Sequence, residues 1–275
     1  ADCVYDMPGA ALAFAANTYT NLTDNIMPAV KTGWELMGLY EGVHYISNKR
    51  PPESWRKRCS IIVDDYKNTI SFWNGSIIFL GSLDHPSLLA GKSVVHLFFD
   101  EAKYDQDKKV NRAMPILRGD AIRYGHSHYF LGVTITTDMP DVLEGEYDWY
   151  FRYVKLMKPE RILKIVQAAG ELNELRIKLV REENKESPSP DKLRRIKKKI
   201  IYYEAALLKM RKGESYFINA SSFTNIDILT IGYIKQLFNG TLELHEFKKS
   251  VVGMRPGLRR DIRFYVAFSE KHKYT

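Results

Sequence analysis

Two adjacent carboxylates, Asp100 and Glu101, follow directly on the apolar run VVHLFF at residues 94–99. A run this apolar reads as a strand buried on both faces, as in a parallel sheet covered by helices. The carboxyl end of such a strand opens onto the ligand crevice of the sheet. Carboxylates there suit phosphoryl transfer. The first can help hold Mg²⁺, directly or through water. The second can orient and polarise a water for attack on a γ-phosphate. Neighbouring side chains on an extended strand point to opposite sides, which would let the two acids take different work. The plainer alternative is a strand that runs into a polar loop with two solvated acids.

A second apolar, β-branched run, YFLGVTIT at residues 129–136, ends in Thr136, Thr137 and Asp138. A hydroxyl at the end of a strand beside the acidic one can hydrogen-bond the γ-phosphate or the attacking water and so sense hydrolysis. Against this, Thr is common in strands and Asp-Met-Pro is a turn sequence. The triplet Gly91-Lys92-Ser93 resembles the end of the phosphate-binding pattern G-x-x-x-x-G-K-[ST]. It fails as one, because residue 86 is Pro where the first glycine should stand. It also precedes a strand, whereas a phosphate loop follows a strand and opens a helix. No other segment qualifies. His126 and His128 lie two apart beside the second run, without the ligand set of a zinc site, and read as core or surface histidines.

The elements that must position these residues read as an α/β sheet. AALAFAA at 10–16 is a short buried strand. Leu22, Ile26, Val30 and Trp34 then recur at helical spacing, with Pro28 expected to kink or interrupt the helix. Residues 42–58 read as loop. CSIIVDDY and TISFW supply strand-forming residues, and Asn74-Gly75 marks a turn before SIIFLGS. A polar stretch and a helix ending near Arg118-Gly119 follow the acidic pair. From Pro159 to Lys212 the pattern is helical. Leu193, Ile196, Ile200, Tyr203, Leu207 and Met210 step by threes and fours, as in a heptad seam. Ile162, Val166, Ala169, Leu172 and Leu179 form a looser stripe upstream. ESPSPD between them is a stop and a loop, with Asp191 as the expected N-cap, so the pair reads as an antiparallel hairpin. Three segments are expected: 1–150 as a sheet core, 151–213 as the hairpin, and 214–275 as mixed structure.

Composition sets outer bounds. The chain has 275 residues, a formal charge of +8 and a pI of about 9.2, which fits a polyanionic partner without requiring one. Cys3 and Cys59 are too few for a disulfide framework or a thiolate metal site, so a reduced setting is expected. No apolar run approaches the roughly 20 residues of a membrane helix, and no signal peptide is visible. The chain opens on Ala1 inside what reads as the middle of a domain, so a fragment is expected. Lys192, Arg194, Arg195, Lys197, Lys198 and Lys199 crowd about two turns of the second helix of the hairpin. They read either as contacts to DNA phosphates or as the solvated face of a helix packed at its seam.

TYTNLTDNIMPAVKTGW, NGSIIFLGSLDHPSLLAG, VVHLFFDEAKY and YFLGVTITTDMPD, in this order and spacing, resemble the ATPase domain of the large terminase subunit of tailed bacteriophages. The resemblance covers about residues 8–150 and, more loosely, 214–270. It implies an incomplete P-loop NTPase sheet of RecA-like type, and a motor that uses ATP and Mg²⁺ to thread double-stranded DNA into a procapsid. The implied partners are the portal protein, the small terminase subunit and further copies in a ring, with no membrane, in the cytoplasm of the host cell during virion assembly. Asp100 becomes the Mg²⁺-associated Walker B aspartate, Glu101 the catalytic glutamate, and Thr136 and Thr137 the coupling motif. Lys92, about eight residues before Asp100, is a candidate for the arginine that some relatives supply in trans, although a lysine lacks the bidentate fork. The departures are a missing Walker A segment, a missing nuclease cluster, Asn17 where many relatives carry Arg, and Asp138 where the coupling motif often has Asn. The missing Walker A implies an ATPase that is inactive on this chain alone. Two alternatives stay open. One is a non-enzymatic DNA-binding or scaffolding derivative of such a domain. The other is a DEAD-like helicase fragment, against which the helical hairpin counts.

Overall fold

A computed structural model describes residues 1–85, 89–241 and 243–255. Residues 86–88, 242 and 256–275 lie outside the described residues, and with them Pro86 and the end of the expected 214–275 segment. Six strands form one mixed sheet: β1 (Ala11–Ala16), β2 (Tyr45–Ser47), β3 (Thr69–Phe72), β4 (Ile77–Ser82), β5 (His96–Phe99) and β6 (Gly132–Ile135), in the order β2-β3-β4-β1-β5-β6. β4, β1, β5 and β6 run parallel, and β2-β3-β4 is an antiparallel meander. This is the expected α/β class. The alanines of β1 let its neighbours close over both faces, and five of its six residues are buried. On one face Leu12, Ile78 and Leu80 pack with Cys3 and Val4 of the short helix α1 (Asp2–Asp6), and with Leu22, Ile26 and Trp34.

The expected helix around Pro28 is continuous but changes its winding. Asn21–Ile26 is wound as a π-helix and runs directly into α2 (Met27–Leu36), with Pro28 in the first turn of α2. Proline has no N–H to donate, and its missing donor falls beside this change of winding. The strand expected over CSIIVDDY does not form: Ile62 is 93% exposed and the segment is bends and irregular backbone. Its place beside β3 is taken by β2, from the region read as loop. Tyr45 is fully buried there, its ring 5.1 Å from Trp34 and 5.9 Å from Phe72. The 42–58 stretch also holds a single helical turn, α3 (Glu53–Arg56). The Asn74-Gly75 turn is present, with Gly75 at φ 90° and the Arg58 backbone too close for a Cβ.

α4 (Asp107–Ala113) and the short α5 (Ala121–Tyr124) join β5 to β6. Farther on, α6 (Pro159–Glu183) and α7 (Pro190–Arg211) form the hairpin. Its core is Ile165, Leu172 and Leu207, flanked by Ile162, Ala169, Ile200, Tyr203 and Met210. The seam of α7 is as expected. On α6, Ile165 takes the place read for Val166, which is 59% exposed. Ser189, not Asp191, occupies the N-cap position of α7, with Pro190 in the first turn. Asp191 sits one residue inside, where a carboxylate favours the positive end of the helix dipole.

Contacts group Ala1–Thr137 with Trp149–Phe217, and Asp138–Asp148 with the described residues between 218 and 255. The second group contains α8 (Ile226–Gln236) and α9 (Leu244–Ser250), packed through Ile234, Phe247 and Val251. No helix among the described residues is long and apolar enough to cross a membrane.

Candidate functional site

β1 and β5 lie side by side, and their onward connections leave in opposite directions, β1 toward β4 and β5 toward β6. That is a topological switch point, and the crevice at the carboxyl ends of the two strands is where open α/β sheets bind ligands. Asp100 and Glu101 stand at the end of β5, on this rim.

β5 holds them because it is itself held. Leu97 and Phe99 are buried, and Phe99 meets the Trp149 ring edge to face at 6.2 Å. His96 is buried too, with Nδ1 2.7 Å from the Tyr129 carbonyl and Nε2 2.8 Å from Thr134 Oγ1. Burial holds its pKa below the usual histidine range, so it ties β5 to β6 as a neutral ring.

The strand ends at Phe99, so strand alternation does not separate the two acids. At Glu101 the backbone leaves the extended region and adopts the left-handed conformation at φ 54°, ψ 41°. For a residue with a Cβ this costs roughly 1–2 kcal/mol. Such strain persists only where surrounding contacts hold it. Those contacts come from the end of β6. Thr136 N–H donates to the Phe99 carbonyl at 2.9 Å, Ala102 N–H to the Thr136 carbonyl at 3.3 Å, and Lys103 N–H to Thr137 Oγ1 at 3.1 Å. Thr136 Oγ1 donates to Asp100 Oδ1 at 2.5 Å. The acidic pair and the threonine pair, 35 residues apart or more, are thus one cluster. Asp100 and Glu101 are half-buried, Thr137 half-buried and Thr136 exposed.

A third carboxylate belongs to this neighbourhood. Asp105 is fully buried, and neither oxygen of its carboxyl has a hydrogen-bond partner among the described residues. Burial pushes its pKa up to about 7. The charges of Asp100 and Asp84 act in the same direction and Lys109 opposes them. Trp149 Nε1 donates to its backbone carbonyl at 2.7 Å. A second Asp five residues after the first is the one hint in the chain, but burial of that side chain has no one-dimensional signature.

The remaining candidates lie apart from this cluster. Lys92 precedes β5 while Asp100 follows it, at opposite ends of the strand, and the Lys92 ammonium sits 4.4 Å from the centre of the Phe79 ring. Gly91-Lys92-Ser93 forms a turn into β5, with Gly91 at φ 78° and Ser93 Oγ donating to the Arg118 carbonyl. It opens no helix, in keeping with its rejection as a phosphate loop. His126 is exposed and His128 lies against the Tyr129 ring. Neither joins a metal-type group among the described residues. The one such group is Asp141, Glu144 and Glu246, where the Lys249 ammonium already stands 3.0 Å from Glu246. On the hairpin, Lys192 pairs with Glu182 at 2.8 Å, Arg194 with Asp191 at 3.2 Å and Lys197 with Glu183 at 2.9 Å. Arg195, Lys198 and Lys199 line an open groove instead.

No protein-family model and no curated protein matches this sequence. Among solved structures, the large terminase of the thermophilic bacteriophage D6E aligns with 50% of this chain and 29% of its own, at 15% identity and a TM-score of 0.33. The same phage protein in complex with ADP aligns with 49% and 26%, at 17% identity and a TM-score of 0.30. The large terminase ATPase domain of Thermus phage P74-26 aligns with 57% of this chain and 56% of its own, at 14% identity and a TM-score of 0.31. This chain therefore spans less than two thirds of each of these proteins. Likeness of this degree carries no functional weight by itself.

Proposed function

We propose that the cluster at the ends of β5 and β6 is the acidic and sensing half of an ATP-hydrolysing site, in a motor of the large-terminase kind that drives double-stranded DNA into a procapsid. The observation that carries the reading is the Thr136–Asp100 hydrogen bond at a topological switch point. It joins the two segments that a Walker B and coupling assignment requires to meet. Among the described residues only Thr136 is hydrogen-bonded to the Asp100 carboxylate, which leaves that carboxylate a hard oxygen donor of the type Mg²⁺ takes.

In this reading Asp100 holds Mg²⁺, directly or through water. When bound, the ion neutralises charge on the β- and γ-phosphates. Glu101 orients the attacking water and accepts its proton. Thr136 positions Asp100, and Thr137 ties the cluster to the Lys103 backbone, so a change at the phosphate reaches β6. The sequence holds no phosphate-cradling loop, so this reading requires a cradle supplied from outside residues 1–275. β6 pairs only with β5 among the described residues, and Thr134 is exposed, which leaves an edge where a further parallel strand fits. Partners of the motor are the portal protein, the small terminase subunit and further copies in a ring, in the host cytoplasm.

The test is ATP turnover by the protein expressed from its whole reading frame, with the residues that flank this sequence. Glu101→Gln keeps shape and removes the base, and a loss of turnover of about 100-fold or more is expected. Turnover equal to the parent would remove Glu101 from the chemistry. It would favour the second reading, a DNA-binding derivative without hydrolysis, which the missing phosphate loop also supports.

A further inference from the structure

The tip half of the α6–α7 hairpin carries an open groove of about 910 Å³. Its lining holds seven Lys or Arg side chains and one acid, Glu182. That acid is already neutralised. Glu182 is buried, with Lys185 and Lys192 both 2.8 Å from its Oε2, and their hydrogen bonds pull its pKa down to about 2. It is therefore charged at every physiological pH and cancelled from both sides. Five cations are left over: Lys178 and Arg181 on α6, and Arg195, Lys198 and Lys199 on α7. None has a carboxylate partner among the described residues.

The chemistry of the groove selects its occupant. Leu175 and Ile196 in its floor are already buried, so an amphipathic acidic helix would find no open apolar slot for its anchors. The apolar surface that remains belongs to Tyr202 and to the aliphatic stems of Lys and Arg, side chains that carry their charged heads toward water. Only one aromatic lines it, Tyr202 at 70% exposure, too few for the stacking platform of a single-strand binder. The cations form two rails, one per helix. The free cations run from residue 195 to 199 on α7, about 6 Å at about 1.5 Å per residue, and from 178 to 181 on α6, about 4.5 Å. A duplex strand presents one phosphate per about 3.4 Å of axis, so each rail faces about two phosphates and the pair about four.

We propose that this groove binds the phosphate backbone of duplex DNA, through Lys178, Arg181, Arg195, Lys198 and Lys199. The residues differ from the basic tract of the sequence. Arg194 and Lys197 drop out because acids already hold them, Lys192 serves Glu182, and two cations come from the other helix. The inference does not depend on nucleotide hydrolysis and stands or falls separately from it.

The experiment measures binding of the 275-residue chain to a fluorescent random-sequence 30-base-pair DNA duplex by anisotropy, across salt and without nucleotide. A variant with all five cations changed to Gln is compared with K108Q/R112Q/R118Q, which neutralises exposed charges on and after α4. The five-site variant should bind at least tenfold more weakly at low salt. Its slope of log K against log salt should be shallower by about 3 to 4, since each phosphate no longer neutralised removes about 0.9. The control should change far less. Lys198→Gln alone, with circular dichroism matching the parent, should reduce the slope by about 1 and guards against a misfolded multiple variant. Equal losses in groove and control variants would overturn the proposal, as would an unchanged slope. Tighter binding of a single strand, or of polyglutamate, than of the duplex would overturn it as well.

Discussion

At Glu101 the strained backbone and the proposed proton acceptor are the same residue. Glycine would adopt φ 54° without the Cβ penalty, so Glu101→Gly should raise stability by about 1 kcal/mol while abolishing ATP turnover. Thermal melts alongside turnover assays check both halves, and a variant that melts lower would show that the left-handed turn is not strained. Asp105 offers a pH test. Its folded pKa, about 7, lies above the ordinary carboxyl value of 3.8, so the folded state holds a proton that the unfolded state has released between these pH values. Stability from this group is therefore fullest below pH 3.8 and is lost as pH rises toward 7, at about 1.4 kcal/mol per pKa unit. Asp105→Asn should flatten that fall and be more stable than the parent at pH 8. Denaturant titrations at pH 5 and pH 8 decide it, and a parallel pH dependence in both proteins would rule Asp105 out as the source. Asp100 was legible as chemistry because two acids ended an apolar run. Asp105 was not, because only packing against Trp149 and its neighbours makes it titrate near neutrality.

Among the elements, the hairpin separates a pattern from a contact. Heptad spacing identified the seam of α7, and Ile196 and Leu207 are buried as that spacing requires. On α6 several apolar positions compete, since Leu163, Val166, Ile177 and Val180 are all exposed while Ile165 and Leu172 are buried. Periodicity alone does not choose between adjacent stripes on one helix; the partner helix does. Ile165→Ala should therefore cost about 2 kcal/mol or more, and Val166→Ala within about 0.5 kcal/mol. Urea unfolding of the two variants measures this, and equal costs would restore the stripe read through Val166. The same logic explains β2. Tyr45 in a short, weakly patterned segment displaced the β-branched run at 61–63 because its ring fits between Trp34 and Phe72.

For the molecule as a whole, the proposed hydrolytic cluster and the proposed DNA groove lie on different elements, the strand ends and the hairpin. Their losses should be separable. Glu101→Gln should keep the duplex affinity and salt slope of the parent, and the five-site groove variant should keep ATP turnover measured without DNA. Turnover and anisotropy, both measured on the two variants expressed from the whole reading frame, test this, and loss of both activities in either variant would show that the sites are not independent.

The α/β class, the parallel strands around β5, the Asn74-Gly75 turn and the helical hairpin followed from the sequence by itself, because local periodicity and turn chemistry act over a few residues. So did the choice of Asp100, Glu101, Thr136 and Thr137 as candidates. Their meeting was decided only by tertiary structure, since the register of β6 against β5 brings Thr136 to Asp100 across 36 residues of chain. Which cations stay unpaired was likewise decided by tertiary structure. Charge is written in the sequence, but cancellation depends on which acids the fold sets beside it.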